Sequence, residues 1–322
     1  MAKAKQIAGI DCEMTAAEGI RLVLAVRMDE MCALHKSALD WSDPEGIHDM
    51  RVASRRLRGA LRDFMPYVRK RRLTSSLQQI RGIAELLGRV RDLDVEIMAL
   101  ERAAQKAPAE ISGGILSFTN CRREALEEVR VKLMTALDPD QISRLKSEFA
   151  EAIKSAVVPP QTKKSAKKGA PSPSVTYREI GRSVILSRLE ELEKLSNSLY
   201  QPLRVGPLHE MRLAAKHLRY ALELFEQCWG DRVAFFARKV AGLQSSLGDL
   251  HDCDVWIERL ARTANHQAQN LDFDFKSTRV WLISHFVRMR AKDIARALKQ
   301  WSEWETDDLS ARIRSTLVEK LQ

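Results

Sequence analysis

The residues best placed to do chemistry are basic, and they come in two matching sets. IHDMRVASRRLRGALRDF (47–64) aligns with LHEMRLAAKHLRYALELF (208–225) at an offset of 161. Wound as a helix at about 100° per residue, each segment splits into two faces. In the first, Met50, Ala53, Leu57, Ala60, Leu61 and Phe64 gather on one face, opposite His48, Arg51, Arg55, Arg58 and Arg62. In the second, Met211, Ala214, Leu218, Ala221, Leu222 and Phe225 lie opposite His209, Arg212, Lys216 and Arg219. Glu223 stands where Arg62 stands, so the second basic stripe is the weaker. Like charges three and four residues apart destabilise a helix, by about 0.2–0.5 kcal/mol per pair. Yet residues 51–72 hold nine Arg or Lys and one acid, Asp63. Guanidinium forks match phosphate oxygens, often two bonds at a time. The leading histidines sit at helix starts, where free N–H groups also favour an anion. A row of such groups suits a chain of phosphates better than one small ligand. The competing role for any single arginine is an ion pair with an acid on a neighbouring helix.

A second pair of segments repeats downstream: LGRVRDLDV (87–95) and LGDLHDCDV (247–255), offset by 160. Asp92 and Asp94 recur as Asp252 and Asp254, with His251 before the second pair. Carboxylates with a histidine can bind a divalent metal. Positions i and i+2 point about 200° apart on a helix, however, so one helix cannot aim both at one ion. These aspartates are read instead as supports that hold arginines of the repeated helix or cap a helix, and no metal is expected. Arg21 and Arg27 match Arg182 and Arg188 at the offset of 161. With Arg56, Arg89 and His217 (at the place of Arg56) they form a secondary basic set. A hydrolase would need an activated nucleophile or a metal-bound water. No Cys or Ser motif with a matched base, no Gly-rich phosphate loop and no HExxH occurs. No catalytic residue and no cofactor are therefore expected. Cys253, replaced by Leu93 in the other copy, is read as a small buried hydrophobe. Trp229, Trp256, Trp281, Trp301 and Trp304 are read as core.

The elements that must position these stripes are helices. The 322 residues are 45% hydrophobic and 30% charged, with only 14 Gly and 10 Pro. That composition suits an all-α chain able to bury a core. Helices are expected over 16–39, 46–66, 72–104, 112–136 and 139–156. The second half repeats the plan over 175–200, 207–228, 231–265, 272–300 and 306–320. Pro44 and Pro207 stand where each repeated helix begins, and Gly230 marks a stop. Residues 157–176, VVPPQTKKSAKKGAPSPSVT, read as a flexible linker. Its Lys163, Lys164, Lys167 and Lys168 could add to anion capture. The expected architecture is two pseudo-symmetric antiparallel four-helix bundles, 1–156 and 177–322, from an internal duplication.

The net charge of +10 favours an acidic partner, but each half alone is only about +3, so any anion site must arise by clustering. Aromatic residues, 6% of the chain, do not interleave with the stripes, which argues against base stacking. Charge alone leaves room for weak binding of nucleic acid. Five cysteines without a CxxC pair point away from a disulfide framework and towards a reducing, cytoplasmic setting. No signal peptide or membrane span is read, and the oligomeric state is open.

HDMRVASRRLR and HEMRLAAKHLRYAL, with the later LGxxxDxDV segments, resemble the two signature copies of the CHAD family, the conserved histidine α-helical domain. The resemblance runs over roughly residues 15–310. It implies a pair of four-helix bundles related by pseudo-two-fold symmetry. It also implies inorganic polyphosphate bound by basic residues in the groove between them, and association with polyphosphate granules. Carried over by match, the ligand residues are His48, Arg51, Arg55, Arg58, His209, Arg212, Lys216 and Arg219. His217 departs from the arginine usual there. The β-rich triphosphate tunnel domain that accompanies many such proteins has no counterpart in this sequence.

Overall fold

The structure, a computed structural model, describes residues 7–158, 175–266 and 273–319. Among these residues it is all-α, with ten α-helices and no strand beyond two isolated bridges. The first half runs α1 (Ala16–Ala33), α2 (Pro44–Phe64), α3 (Thr74–Ala104), α4 (Ala109–Ala136) and α5 (Pro139–Ala156). The second runs α6 (Tyr177–Lys194), α7 (Val205–Leu224), α8 (Asp231–His266), α9 (Phe273–Thr306) and α10 (Leu309–Thr316). The expected spans 16–39 and 175–200 each end in a separate 3₁₀ turn, Ser37–Leu39 and Ser196–Tyr200. A single 3₁₀ turn changes the period from about 3.6 to 3.0 over only a few residues, too few for apolar spacing to show the break.

Local signals place the ends. Thr15 and Glu18 form a capping box on α1, and Thr176 and Glu179 form one on α6. Asp43 caps α2, with Pro44 in its first turn. Gly230 takes a positive φ of 64° and leads into α8.

The apolar faces read from the sequence are the core. Met50, Leu57, Phe64, Met211, Leu218 and Phe225 are all fully buried. The halves share one main hydrophobic cluster rather than owning two. At its centre Phe64 meets Phe225 edge to face at 6.0 Å, and Tyr177 lies 5.0 Å from Phe225. Gly19 lets α1 approach this cluster, since a Cβ there would stand 2.4 Å from the Tyr177 ring. Gly181 does the same on α6 against the Phe225 ring, at 2.6 Å. A smaller cluster joins α3 and α4 to α8 and α9 through Leu100, Ile115, Trp256, Leu260, Leu282 and Phe286. Beside it, Glu96 of α3 pairs with Arg259 of α8 at 2.5 Å, across the halves. Trp229, Trp256, Trp301 and Trp304 are buried, as is Cys253, while Trp281 is half-buried and stacks on His285.

Residues at the repeat offset meet one another. Thr15 bridges to Thr176, and Phe64 packs on Phe225. The centre of the expected linker, with its four lysines, lies outside the described residues. Its edges are tied down: Val157 bridges to Val68, and the Val175 carbonyl accepts from the Ala16 N–H at 2.9 Å.

The cysteine reading needs correction. Cys12 and Cys228 form a disulfide across 216 residues, with their Cα atoms 5.5 Å apart. An odd count hides a single pair, and only the tertiary fold carries the N-terminal segment to the end of α7. The Arg178 guanidinium reinforces that strap by donating to Glu13 and to the Cys228 carbonyl, at 2.8 and 2.6 Å. Cys32 and Cys253 are buried free thiols and Cys121 an exposed one. No helix among the described residues is long and apolar enough to cross a membrane.

Candidate anion-binding site

Burying their apolar faces in one shared core brings α2 and α7 against each other, and this turns parts of the two stripes together. Lys216 lies at the meeting point. Its charge is felt with those of Arg212, Arg55, Arg62 and Arg58, and no carboxylate pairs with it among the described residues. Burial, and then those four cations, push its ammonium down from 10.5 to about 8. Arg55 lies over the Tyr220 ring at 6.0 Å, with its Nε buried and without a hydrogen-bond partner. Arg58 is exposed. Arg55, Arg58 and Lys216 are thus the stripe cations with no carboxylate paired to them among the described residues, while Arg212 lies near Asp252 and Asp92 and opposes the rise of both carboxyls.

Other stripe residues are committed. Arg51 reaches Asp92 of α3 at 3.4 Å. Arg62 donates to Asp63, whose side chain is fully buried and also receives Arg188 of α6 at 2.8 Å. Arg219 is 7% exposed and bonds Glu223 at 2.7 Å and Gln244 at 3.2 Å. Arg27 is held by Glu30 at 2.6 Å, Arg56 approaches the same carboxylate at 3.5 Å, and Arg188 also bonds Glu191 at 2.5 Å. These ion pairs fasten α1 to α2 and α6 to α2. Arg21 donates to the Val157 carbonyl at 3.4 Å. Arg182 is exposed on α6. Arg89 lines a separate cleft with Leu86, Gln141 and Leu145, between α3 and α5.

The histidines stand at the other end of the stripes. His209 Nδ1 and His251 Nδ1 are 3.2 Å apart, so one ring donates to the other. Burial, then Arg212, then His209 lower His251 to about 4. Burial also lowers His209 and His48, helped by Arg212 and Lys216 for the first and by Arg91 for the second. His217, half-buried beside Arg62, Lys216 and Arg188, falls to about 3, mainly through burial. All four rings are therefore neutral at pH 7.

The aspartates divide into two roles. Asp92 and Asp252 are solvent-exposed yet hemmed in by protein, as side chains lining a concave surface are. That setting lifts Asp252 to about 6, opposed by Arg212. Asp94 and Asp254 do not hold the repeated helices, contrary to the expectation. Asp254 binds Arg290 of α9 at 2.5 Å, and Asp94 lies near Arg130 of α4. Arg290 also donates to the Pro202 carbonyl at 2.6 Å, and Arg130 lies over Trp41 at 4.8 Å. Asp254 thus braces, through Arg290, the loop before α7, and Arg130 lies against the loop before α2. Two residues on one turn point to different helices, which is why they cannot share a target. Among the described residues no three of His, Cys, Asp and Glu gather where they could hold a metal ion.

Arg91, Tyr220 and Arg259 also lie at the site, outside the two stripes. A signal for Arg91 was present: it occupies the place of His251 in the second repeated motif, and both face the leading histidine of their half. Tyr220 sits on the border between the faces of α7 and, at 6% exposed, belongs to the interface with α2.

A family model described as the CHAD domain matches residues 23–261. No curated protein matches the chain in sequence. Among solved structures, the chain is similar to the crystal structure of the CHAD domain from the plant Ricinus communis. The two are 19% identical, with a TM-score of 0.67 over 93% of this chain and 96% of that one. It is also similar to PptA from Streptomyces chartreusis, at 11% identity and a TM-score of 0.65, over 89% of this chain and 99% of that one. At such identities the likeness is one of fold.

Proposed function

Because this chain belongs to the CHAD family, we propose that it binds inorganic polyphosphate in a basic groove between its halves. The observation that carries the reading is Lys216, held among Arg212, Arg55, Arg62 and Arg58 with no carboxylate paired to it among the described residues. A protein that only needed to fold gains nothing from that arrangement. An incoming phosphate chain relieves it, by charge-assisted hydrogen bonds and by release of the polymer's own counterions. Arg51, His48 and His209 extend the groove, and Asp92 and Asp252 border it. In this reading the halves are two copies about a pseudo-two-fold axis, and residues at the repeat offset, such as Thr15 and Thr176, meet across it. The reading assigns binding and no reaction, and it places the protein on polyphosphate granules.

The test is a competition titration at physiological salt. Labelled long-chain polyphosphate is displaced by RNA or DNA at matched phosphate equivalents. Failure of nucleic acid to compete supports a groove that reads the bare phosphate chain. Equal competition turns the site into a general polyanion surface and removes the assignment.

A further inference from the structure

We propose that the turn Arg69-Lys70-Arg71-Arg72 is a second docking segment for the same polymer, taking the part of a long phosphate chain that runs beyond the α2–α7 site. The proposal rests on the reading of that site as a polyphosphate groove. All four side chains are exposed. None is paired with a carboxylate among the described residues, and no Asp or Glu occurs from Phe64 to Ala84. Four adjacent uncompensated cations repel one another, and a turn whose only task was to join α2 to α3 would not need them.

The turn is built rather than loose. Leu73 anchors it in the core, fully buried. The Arg69 N–H donates to the Ala156 carbonyl at 2.8 Å, and the Val158 N–H donates to the Tyr67 carbonyl at 2.9 Å. Lys70–Leu73 is a 3₁₀ turn, so Lys70, Arg71 and Arg72 radiate at about three residues per turn instead of stacking. A fixed backbone presenting splayed cations loses little entropy on taking up a polyanion.

Position and asymmetry supply the direction. The turn follows the end of α2 that carries Arg62, so along the chain it continues the stripe that begins at Arg51. At the repeat offset of 161 the second half has Gly230-Asp231-Arg232-Val233, a segment with one cation and one acid. That end of α7 is also occupied by the N-terminal strap, through the Cys12–Cys228 disulfide and a Gln227 hydrogen bond to the Ile7 carbonyl at 3.2 Å. The exits are therefore unequal. A chain that fills the groove and is long enough to leave it finds cations past α2 and a covered, mixed-charge surface past α7.

The experiment compares Lys70→Glu/Arg71→Glu/Arg72→Glu with Arg55→Glu/Lys216→Glu, each titrated with long-chain polyphosphate and with tripolyphosphate at several salt concentrations. Circular dichroism checks that helicity is kept. The turn variant should bind long chains about tenfold more weakly, and its log affinity should fall less steeply with log salt, by about 2–3 for three lost contacts. Its affinity for tripolyphosphate should not change. The groove variant should lose both ligands. A turn variant that matches wild type on long chains, beside a groove variant that loses both, overturns the second segment and leaves the groove standing. A silent groove variant sinks the groove reading and this proposal with it. If the turn variant loses binding to vesicles containing anionic phospholipid but keeps long-chain polyphosphate, the turn is a lipid contact and the proposal is wrong.

Discussion

Replacing Lys216 with methionine should make the free protein more stable and a worse polyphosphate binder. The ammonium titrates at about 8 in the folded chain against 10.5 for a free lysine, because burial and four neighbouring cations oppose its charge. Keeping it protonated therefore costs the folded state about 3 kcal/mol at most, and about 2 kcal/mol once partial solvent access is allowed for. Methionine has a similar length and removes the charge without leaving a large void. At pH 7 urea unfolding of Lys216→Met should thus give a higher midpoint than wild type with the same slope. The gap should depend on pH. Between pH 8 and 10.5 the unfolded wild-type chain still holds a proton that the folded chain has released. Wild-type stability therefore rises through that window towards the variant's. Binding should move the other way. Loss of one charge-assisted contact at the centre of the groove should weaken polyphosphate affinity by about 10–100-fold. A variant less stable than wild type at pH 7, or a gap that stays constant from pH 7 to 10.5, would show that Lys216 is not held charged against the fold and that the groove is not built around an unpaired cation.

Arg51→Glu with Arg55→Glu should abolish polyphosphate binding while leaving helix content unchanged by circular dichroism, and wild-type affinity should climb with chain length, since a longer chain spans both halves. A tripolyphosphate that binds as tightly as a long chain contradicts the shared groove. The histidines should add no binding step near pH 6.5. His251 is lowered to about 4 and His48 and His209 are also lowered, so any gain from imidazolium charge appears only below the free value. A clear rise in affinity centred at pH 6.5 would show that the rings are charged where burial says they are neutral. Cys12→Ser should lower stability by about 2–5 kcal/mol, because the disulfide closes a very long loop in the unfolded chain, and the denaturant melt of wild type should match the variant's only when reductant is present.

The helical fold and the apolar faces of the two matching helices were legible in the sequence because each rests on local periodicity. The apolar positions from Met50 to Phe64 and from Met211 to Phe225 recur every three or four residues, and burying them leaves few other solutions. The capping and proline signals are equally local, which is why helix starts were close while the breaks into 3₁₀ turns at Ser37 and Ser196 were not seen. The basic stripe was legible as a stripe. Which of its members stay free was not. Arg62 and Arg219 share the face of Arg55 and Lys216, yet Asp63 and Glu223 take them.

Sequence alone thus determined that two basic helix faces exist, since side-chain direction on a helix follows from spacing within a few residues. Tertiary structure decided the rest. Packing around Phe64, Tyr177 and Phe225 set α2 against α7 and placed Lys216 among arginines of the other half. It also set Asp254 against Arg290 of α9 and Asp94 near Arg130 of α4, and it carried Cys12 across the chain to Cys228. Each of these joins residues far apart in sequence, and charge pairing falls off over a few ångströms, so only the distances set by packing could choose among the partners.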